Sequence, residues 1–151
     1  MQNFSRSLPM MLYSTLHAVM PRFRRIFKKF GLTEQQWRVL RVLWEIDRMP
    51  FQELANITLI PAPSLVGVID RLGNNGLVER QRSETDRRVV YIQATSIGQE
   101  LGEKVRPEVV RVYDELQASV DPLIWKHLVD GMDKIIATCE GDSARRQPDN
   151  H

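Results

Sequence analysis

The sequence predicts a mainly α-helical chain with one small β-hairpin, an α+β arrangement within a single domain. Three observations carry that expectation. Apolar residues recur at three- and four-residue spacing through most of the 151 residues, the signature of amphipathic helices. Two short runs rich in β-branched residues, "LVERQ" from Leu77 and "VVYIQA" from Val89, flank the charged stretch "RSETDRR", as a hairpin would. Residues that start helices (Thr33, Pro63, Thr95) and stop them (Gly31, Gly76) punctuate the pattern at the right places.

The first helix is written by Leu8, Leu12, Val19, Phe23, Ile26 and Phe30, with Arg22, Arg24, Arg25, Lys28 and Lys29 on its other face. Pro21 is expected to kink it, and Gly31 to close it in the left-handed conformation. In "LTEQQW" Thr33 is placed to cap a second helix, Gln36 to complete a capping box, and Leu32 and Trp37 to staple the entry. Trp37, Leu40, Leu43 and Trp44 form the apolar stripe of that helix. Met49-Pro50 reads as a break before a short third helix, "FQELANIT", packed through Leu54, Ala55 and Ile57. After the tight turn "LIPAP", Pro63 suits the first position of a fourth helix. Its inner face is Leu65, Val68, Ile69 and Leu72, and Ser64, Val66, Gly67, Asp70 and Arg71 remain outside. The hairpin follows. Thr95 then caps a fifth helix with Ile97, Leu101 and Val105 inward, which Pro107 kinks or breaks before Val109, Val112 and Leu116. Asp121-Pro122 opens a sixth helix with Ile124, Leu128, Met132 and Ile135 on one side. Residues 1–140 are read as one domain, with a central unit at about 33–95 between terminal helical segments at about 8–30 and 96–140. The polar tail 141–151 is expected to be disordered.

Composition narrows the function. Hydrophobic residues make up 42% and charged residues 26%, with a net charge of only +2, so a polyanion-binding surface must come from local placement of charge. The lone Cys139 leaves no internal disulfide and suits a reducing cytoplasm. No apolar run is long enough to span a membrane, so no membrane partner is expected. His17, His127 and His151 have no metal-ligand spacing to one another or to Cys139, and neither a phosphate-binding glycine loop nor a nucleophile motif is present. Neither an enzyme nor a metal or organic cofactor is expected.

Two short helices joined by a tight turn make a helix-turn-helix, whose second helix lies in a major groove with its N-terminal residues toward base edges. A hairpin directly after it completes a winged helix-turn-helix. The fourth helix offers Ala62, Pro63, Ser64, Gly67 and Arg71 to DNA, with Ser64 and Gly67 small enough to permit close approach. The hairpin tip offers Asp86, Arg87 and Arg88. A guanidinium on a thin loop fits a narrow minor groove, and Asp86 is expected to hold Arg88 through a charge-assisted hydrogen bond. The long apolar stripes at both ends of the chain predict a homodimer formed by the N- and C-terminal helices, matching the two half-sites of a palindromic operator.

The segments "LTEQQWRVLRVL", "FQELA", "SLVGVIDRLGNNGLVER" and "DRRVVYIQATSIG", in that order, resemble the MarR family of bacterial transcription regulators over roughly residues 8 to 140. The last carries the family's wing pattern: Asp86, any residue, Arg88, a strand, then Thr95 and Gly98. "LTEQQWR" is especially similar to the subgroup controlling homoprotocatechuate and related aromatic-catabolism operons. The resemblance implies an obligate dimer, a palindromic operator, and release of DNA by a small anionic or phenolic ligand; a repressor is the expected sense of regulation, although the sequence itself does not set the sign. It assigns Ser64 and Arg71 to DNA on the recognition helix, and Asp86 and Arg88 to the wing. Two positions depart from the pattern. Ala94 replaces the usual leucine, and Leu16 and His17 stand where the aromatic-catabolism relatives tend to carry Arg and Glu. For an effector, a dimer crevice lined by Tyr13, His17, Trp37, Arg38 and Arg41 would suit a small aromatic carboxylate, its ring stacked and its carboxylate held by an arginine. Two other readings stay open at this point: a winged helix used for protein contacts alone, and thiol sensing through Cys139.

Overall fold

The computed structural model describes residues 7–145. Six helices and three strands follow in order: α1 Leu8–Lys29, α2 Glu34–Leu43, β1 Arg48–Pro50, α3 Phe51–Thr58, α4 Ala62–Asn74, β2 Val78–Arg82, β3 Val90–Ala94, α5 Ser96–Ala118 and α6 Pro122–Arg145. The chain forms two compact units, dividing after Val110.

In the first unit, local signals set the helix ends. The α1 helix closes with Gly31 at φ +69°. There the Leu32 N–H donates to the Phe27 carbonyl at 2.8 Å and the Gly31 N–H to the Lys28 carbonyl at 3.1 Å, a Schellman motif. The α2 capping box is complete: the Gln36 N–H donates to Thr33 Oγ1 at 3.2 Å, and Gln36 Oε1 accepts from the Thr33 N–H at 2.9 Å. A second Schellman motif ends α4 at Gly76, also at φ +69°. Thr95 Oγ1 accepts the Gly98 N–H at 3.1 Å and so caps α5. Pro63 falls at the second helical position of α4 rather than the first, because Pro61 is the N-cap and Ala62 precedes it. Both α1 and α5 continue through their internal prolines, Pro21 and Pro107.

The sheet has three strands, not two. Its order is β1-β3-β2, with β3 antiparallel to both neighbours, pairing Met49 with Ile92 and Arg80 with Ile92. Met49-Pro50 is therefore the end of a short edge strand, the setting in which a sheet tolerates proline. Phe27, Leu40, Leu43, Leu54, Leu65, Ile69, Leu72, Ile92 and Val105 fill the core. The α4 face is the one expected, Leu65, Val68, Ile69 and Leu72. In α2 the stripe is wider than expected: Val39 and Val42 are also buried, and Trp37 and Trp44 are half-buried. Ile57 is exposed, and α3 packs instead through Leu54, Ala55 and Thr58.

The buried face of α5 within this unit is Gly98, Gly102, Val105 and Val109, one position away from the expected Ile97 and Leu101. The cause is close packing. A Cβ on Gly98 would lie 2.1 Å from the Leu77 carbonyl oxygen, and one on Gly102 would lie 2.7 Å from the Trp44 ring. Trp44 Nε1 donates to the Gly98 carbonyl at 2.8 Å, fixing the indole against the helix.

In the second unit α6 starts where Asp121 accepts the Leu123 N–H at 2.9 Å. It extends to Arg145, so the first part of the expected disordered tail is helical, and residues 146–151 lie outside the described residues. Ile124, Leu128 and Ile135 are exposed and Met132 is half-buried. Among the described residues no helix is long and apolar enough to cross a membrane.

Candidate nucleic-acid interface

The α4 helix turns its apolar face into the core, which leaves Pro63, Ser64, Val66, Asp70 and Arg71 exposed and Gly67 half-buried on the outside. Its N-terminus has no side-chain cap and no acid in the first turn. The partial positive charge of the helix start is therefore not neutralised locally, as suits a site that meets phosphate. Gly67 gives Arg71 its seat, since a Cβ there would touch Arg71 Nη1 at 3.4 Å. The turn into α4 bends at Leu59, which adopts φ 53° although it is not glycine.

The wing begins at β2 and is tied to α4 by a contact that was not expected: Arg80 Nη2 donates to Asp70 Oδ1 at 2.6 Å. This pair compensates the acid on the outward face of α4. Arg48 crosses the sheet, lying over the Tyr91 ring at 4.8 Å and donating to Gln81 at 3.3 Å. Nothing local in the sequence marks these pairs, which form only once the strand register is set.

At the wing tip Asp86 plays a different part from the one expected. Asp86 Oδ1 accepts the backbone N–H of Arg88 at 3.0 Å, whereas the Arg88 Nε lies 3.9 Å away. Asp86 thus shapes the turn and leaves the guanidinium only loosely paired. Ser83 Oγ accepts the Asp86 N–H at 3.2 Å, and the Val89 N–H returns to the Asp86 carbonyl at 2.9 Å. The result is an ordered loop with Arg87 exposed and the Arg88 side chain 95% exposed.

The expected effector residues divide. Tyr13, 70% exposed, and His17 lie on the open surface of α1. Trp37 is half-buried, stacked on Phe27 with ring centroids 4.9 Å apart and edge-on to Trp44 at 5.6 Å. Arg41, one turn on from Trp37, is exposed. Arg38 points elsewhere: its Nη1 donates to the Thr58 carbonyl at the end of α3, at 3.0 Å, and its buried Nε has no hydrogen-bond partner among the described residues. A hollow of about 330 Å³ lined in part by Phe30, Leu77, Ile97, Glu100 and Lys104 contains none of the five.

A helix-turn-helix with an exposed small-residue second helix, followed by an arginine-tipped wing, defines a winged-helix DNA-binding transcriptional regulator. Residues 32–90 match the MarR family model. Over 116 residues, 77% of this chain and 80% of the relative, the sequence is 39% identical to the HTH-type transcriptional regulator FarR of Neisseria gonorrhoeae. It is 35% identical over 131 residues, 87% of this chain and 88% of the relative, to the homoprotocatechuate degradative operon repressor of Escherichia coli. The crystal structure of NadR in complex with 4-hydroxyphenylacetate superposes with a TM-score of 0.79 at 33% identity, covering 89% of this chain and 96% of that one. The chain belongs to the MarR family of transcriptional regulators.

Proposed function

We propose that this protein is a cytoplasmic repressor, without catalytic activity, that binds a palindromic operator as a homodimer and is released by a small aromatic acid. The observation that carries the DNA-binding part is the outward face of α4: small, uncapped at its N-terminus, and joined to the wing through Asp70 and Arg80. In this reading Ala62, Pro63, Ser64, Gly67 and Arg71 meet the major groove and its phosphates. Arg87 and Arg88 meet the minor groove, with Asp86 shaping the loop that carries them. Exposed apolar residues support the dimer. Leu8, Leu12 and Leu16 recur every four residues on α1, and Leu123, Ile124, Leu128 and Ile135 lie open on α6, more apolar surface than a monomer usually leaves to water.

An aromatic acid is favoured by the relatives, one a repressor of homoprotocatechuate degradation and one solved with 4-hydroxyphenylacetate. Within this chain Trp37 and Arg41 share one face of α2 and offer a ring and a cation, with Tyr13 and His17 completing the site in the dimer. A ligand releases DNA by favouring a dimer geometry with the wrong spacing between recognition helices. About 1.4 kcal/mol of differential binding shifts that balance tenfold. The test is a titration of labelled operator with 4-hydroxyphenylacetate and a panel of hydroxybenzoates, using the parent protein and Arg41→Ala. Release of the parent with a weakened response in the variant supports the reading. No release at millimolar concentration overturns the aromatic effector, and no sequence-specific binding overturns the repressor.

A further inference from the structure

Beside the row that carries Ser64 and Arg71, a second strip on the outward side of α4 runs through Pro63, Val66, Gly67 and Asp70. Pro63 and Gly67 bring no hydrogen-bonding side chain. The Asp70 carboxylate is held by Arg80 at 2.6 Å, and Arg71 lies back against Gly67. Val66 is the remaining member of the strip, and it is 45% exposed. A β-branched side chain in a helix loses rotamer freedom, and nearly half of Val66 stays open on this face. Its two methyls offer only apolar contact. On the floor of the major groove, the matching apolar group is the 5-methyl of thymine.

We propose that Val66 is a specificity-determining residue that reads thymine methyl groups in each half-site. The proposal rests on α4 entering the major groove, as put forward above. Asp70, one turn further on, can lie near the bases without an unpaired charge because Arg80 accompanies it. The strip then distinguishes thymine from cytosine at the contacted position by an apolar group rather than by a hydrogen bond.

The test uses a duplex selected by this protein from a randomised pool. Each thymine is replaced in turn by deoxyuridine, which removes only the 5-methyl group. The parent and Val66→Ala are titrated by fluorescence anisotropy at fixed salt. At one or two thymines per half-site, deoxyuridine is expected to weaken the parent by about fourfold per half-site, the worth of one buried methyl-sized group. At those positions Val66→Ala should be nearly indifferent to the replacement. Arg88→Ala should bind all duplexes more weakly yet keep the parent's deoxyuridine pattern. Identical deoxyuridine effects in the parent and Val66→Ala would overturn the proposal. So would a uniform loss for Val66→Ala on every duplex, which would place the side chain on the sugar-phosphate backbone. A parent protein that selects no duplex overturns the major-groove placement of α4 itself and the proposal with it, and that outcome is distinct from the other two.

Discussion

Replacing Asp86 in two ways separates what its carboxylate does from what its charge does. In the wing its Oδ1 accepts the Arg88 backbone N–H at 3.0 Å, while the guanidinium nitrogen stands off at 3.9 Å with the Arg88 side chain 95% exposed. An ion pair that open contributes little, about 0–1 kcal/mol. The hydrogen bond to the backbone is worth about 1 kcal/mol, and it holds the turn that presents Arg87 and Arg88. Asp86→Ala removes the bond and lets the tip sample other conformations, so operator binding should weaken by about 1 kcal/mol per half-site, roughly fivefold. Asp86→Asn keeps an oxygen acceptor in the same place and removes a negative charge that would face phosphate if the wing meets DNA as proposed. It should bind the operator at least as tightly as the parent. Arg88→Ala should lose more than either, about 1–3 kcal/mol per half-site, as expected for an arginine inserted in a groove. The assay is anisotropy titration of a labelled operator at one fixed salt concentration. If Asp86→Asn loses as much as Asp86→Ala, the charge rather than the backbone bond is what matters, and the account of the wing is wrong. Equal affinity for Arg88→Ala and the parent would reduce the tip to a solvated turn.

Other consequences follow from the packing and the charge. Gly98→Ala should destabilise the fold by about 1–3 kcal/mol in urea unfolding, because its Cβ would meet the Leu77 carbonyl at 2.1 Å and backbone must shift; an unchanged midpoint would contradict the close approach of α5 to Leu77. Arg71→Ala should weaken binding to specific and unrelated duplexes alike and lower the salt slope by about one per half-site if the guanidinium meets phosphate. Leu12→Glu and Leu128→Glu should shift sedimentation equilibrium toward monomer. A parent protein that sediments near 17.5 kDa at micromolar concentration would remove the dimer and the palindrome together.

Much of this architecture is written locally. Thr33 and Gln36, three residues apart, announce the capping box that forms, and Gly31 and Gly76 announce two Schellman turns. The four inward residues of α4 stand out because their spacing meets one flat core face. Features that depend on distant partners are harder to read. β1 is three residues long and ends in proline, so only its pairing with β3 reveals it as a strand. The buried face of α5 is hidden because glycine carries no hydrophobic signal; Gly98 and Gly102 are inward because Leu77 and Trp44 come too close for any side chain. Arg38 reads as a surface cation from α2 alone, but its nearest acceptor is the Thr58 carbonyl at the end of α3, twenty residues away. At the wing, spacing identifies Asp86 and Arg88 as a pair without indicating that the backbone N–H is the partner.

The measurement that tests the central claim most directly is dimethyl sulfate footprinting of the homodimer on its operator, because the reagent attacks guanine N7 in the major groove and adenine N3 in the minor groove. With α4 in the major groove and Arg88 in the minor groove, guanine protections should form two clusters about one helical turn apart. Adenine protections should lie outside them on both flanks and disappear selectively in Arg88→Ala. Guanine reactivity left unchanged throughout a site that the protein demonstrably occupies would contradict the assignment of α4 as the reading element.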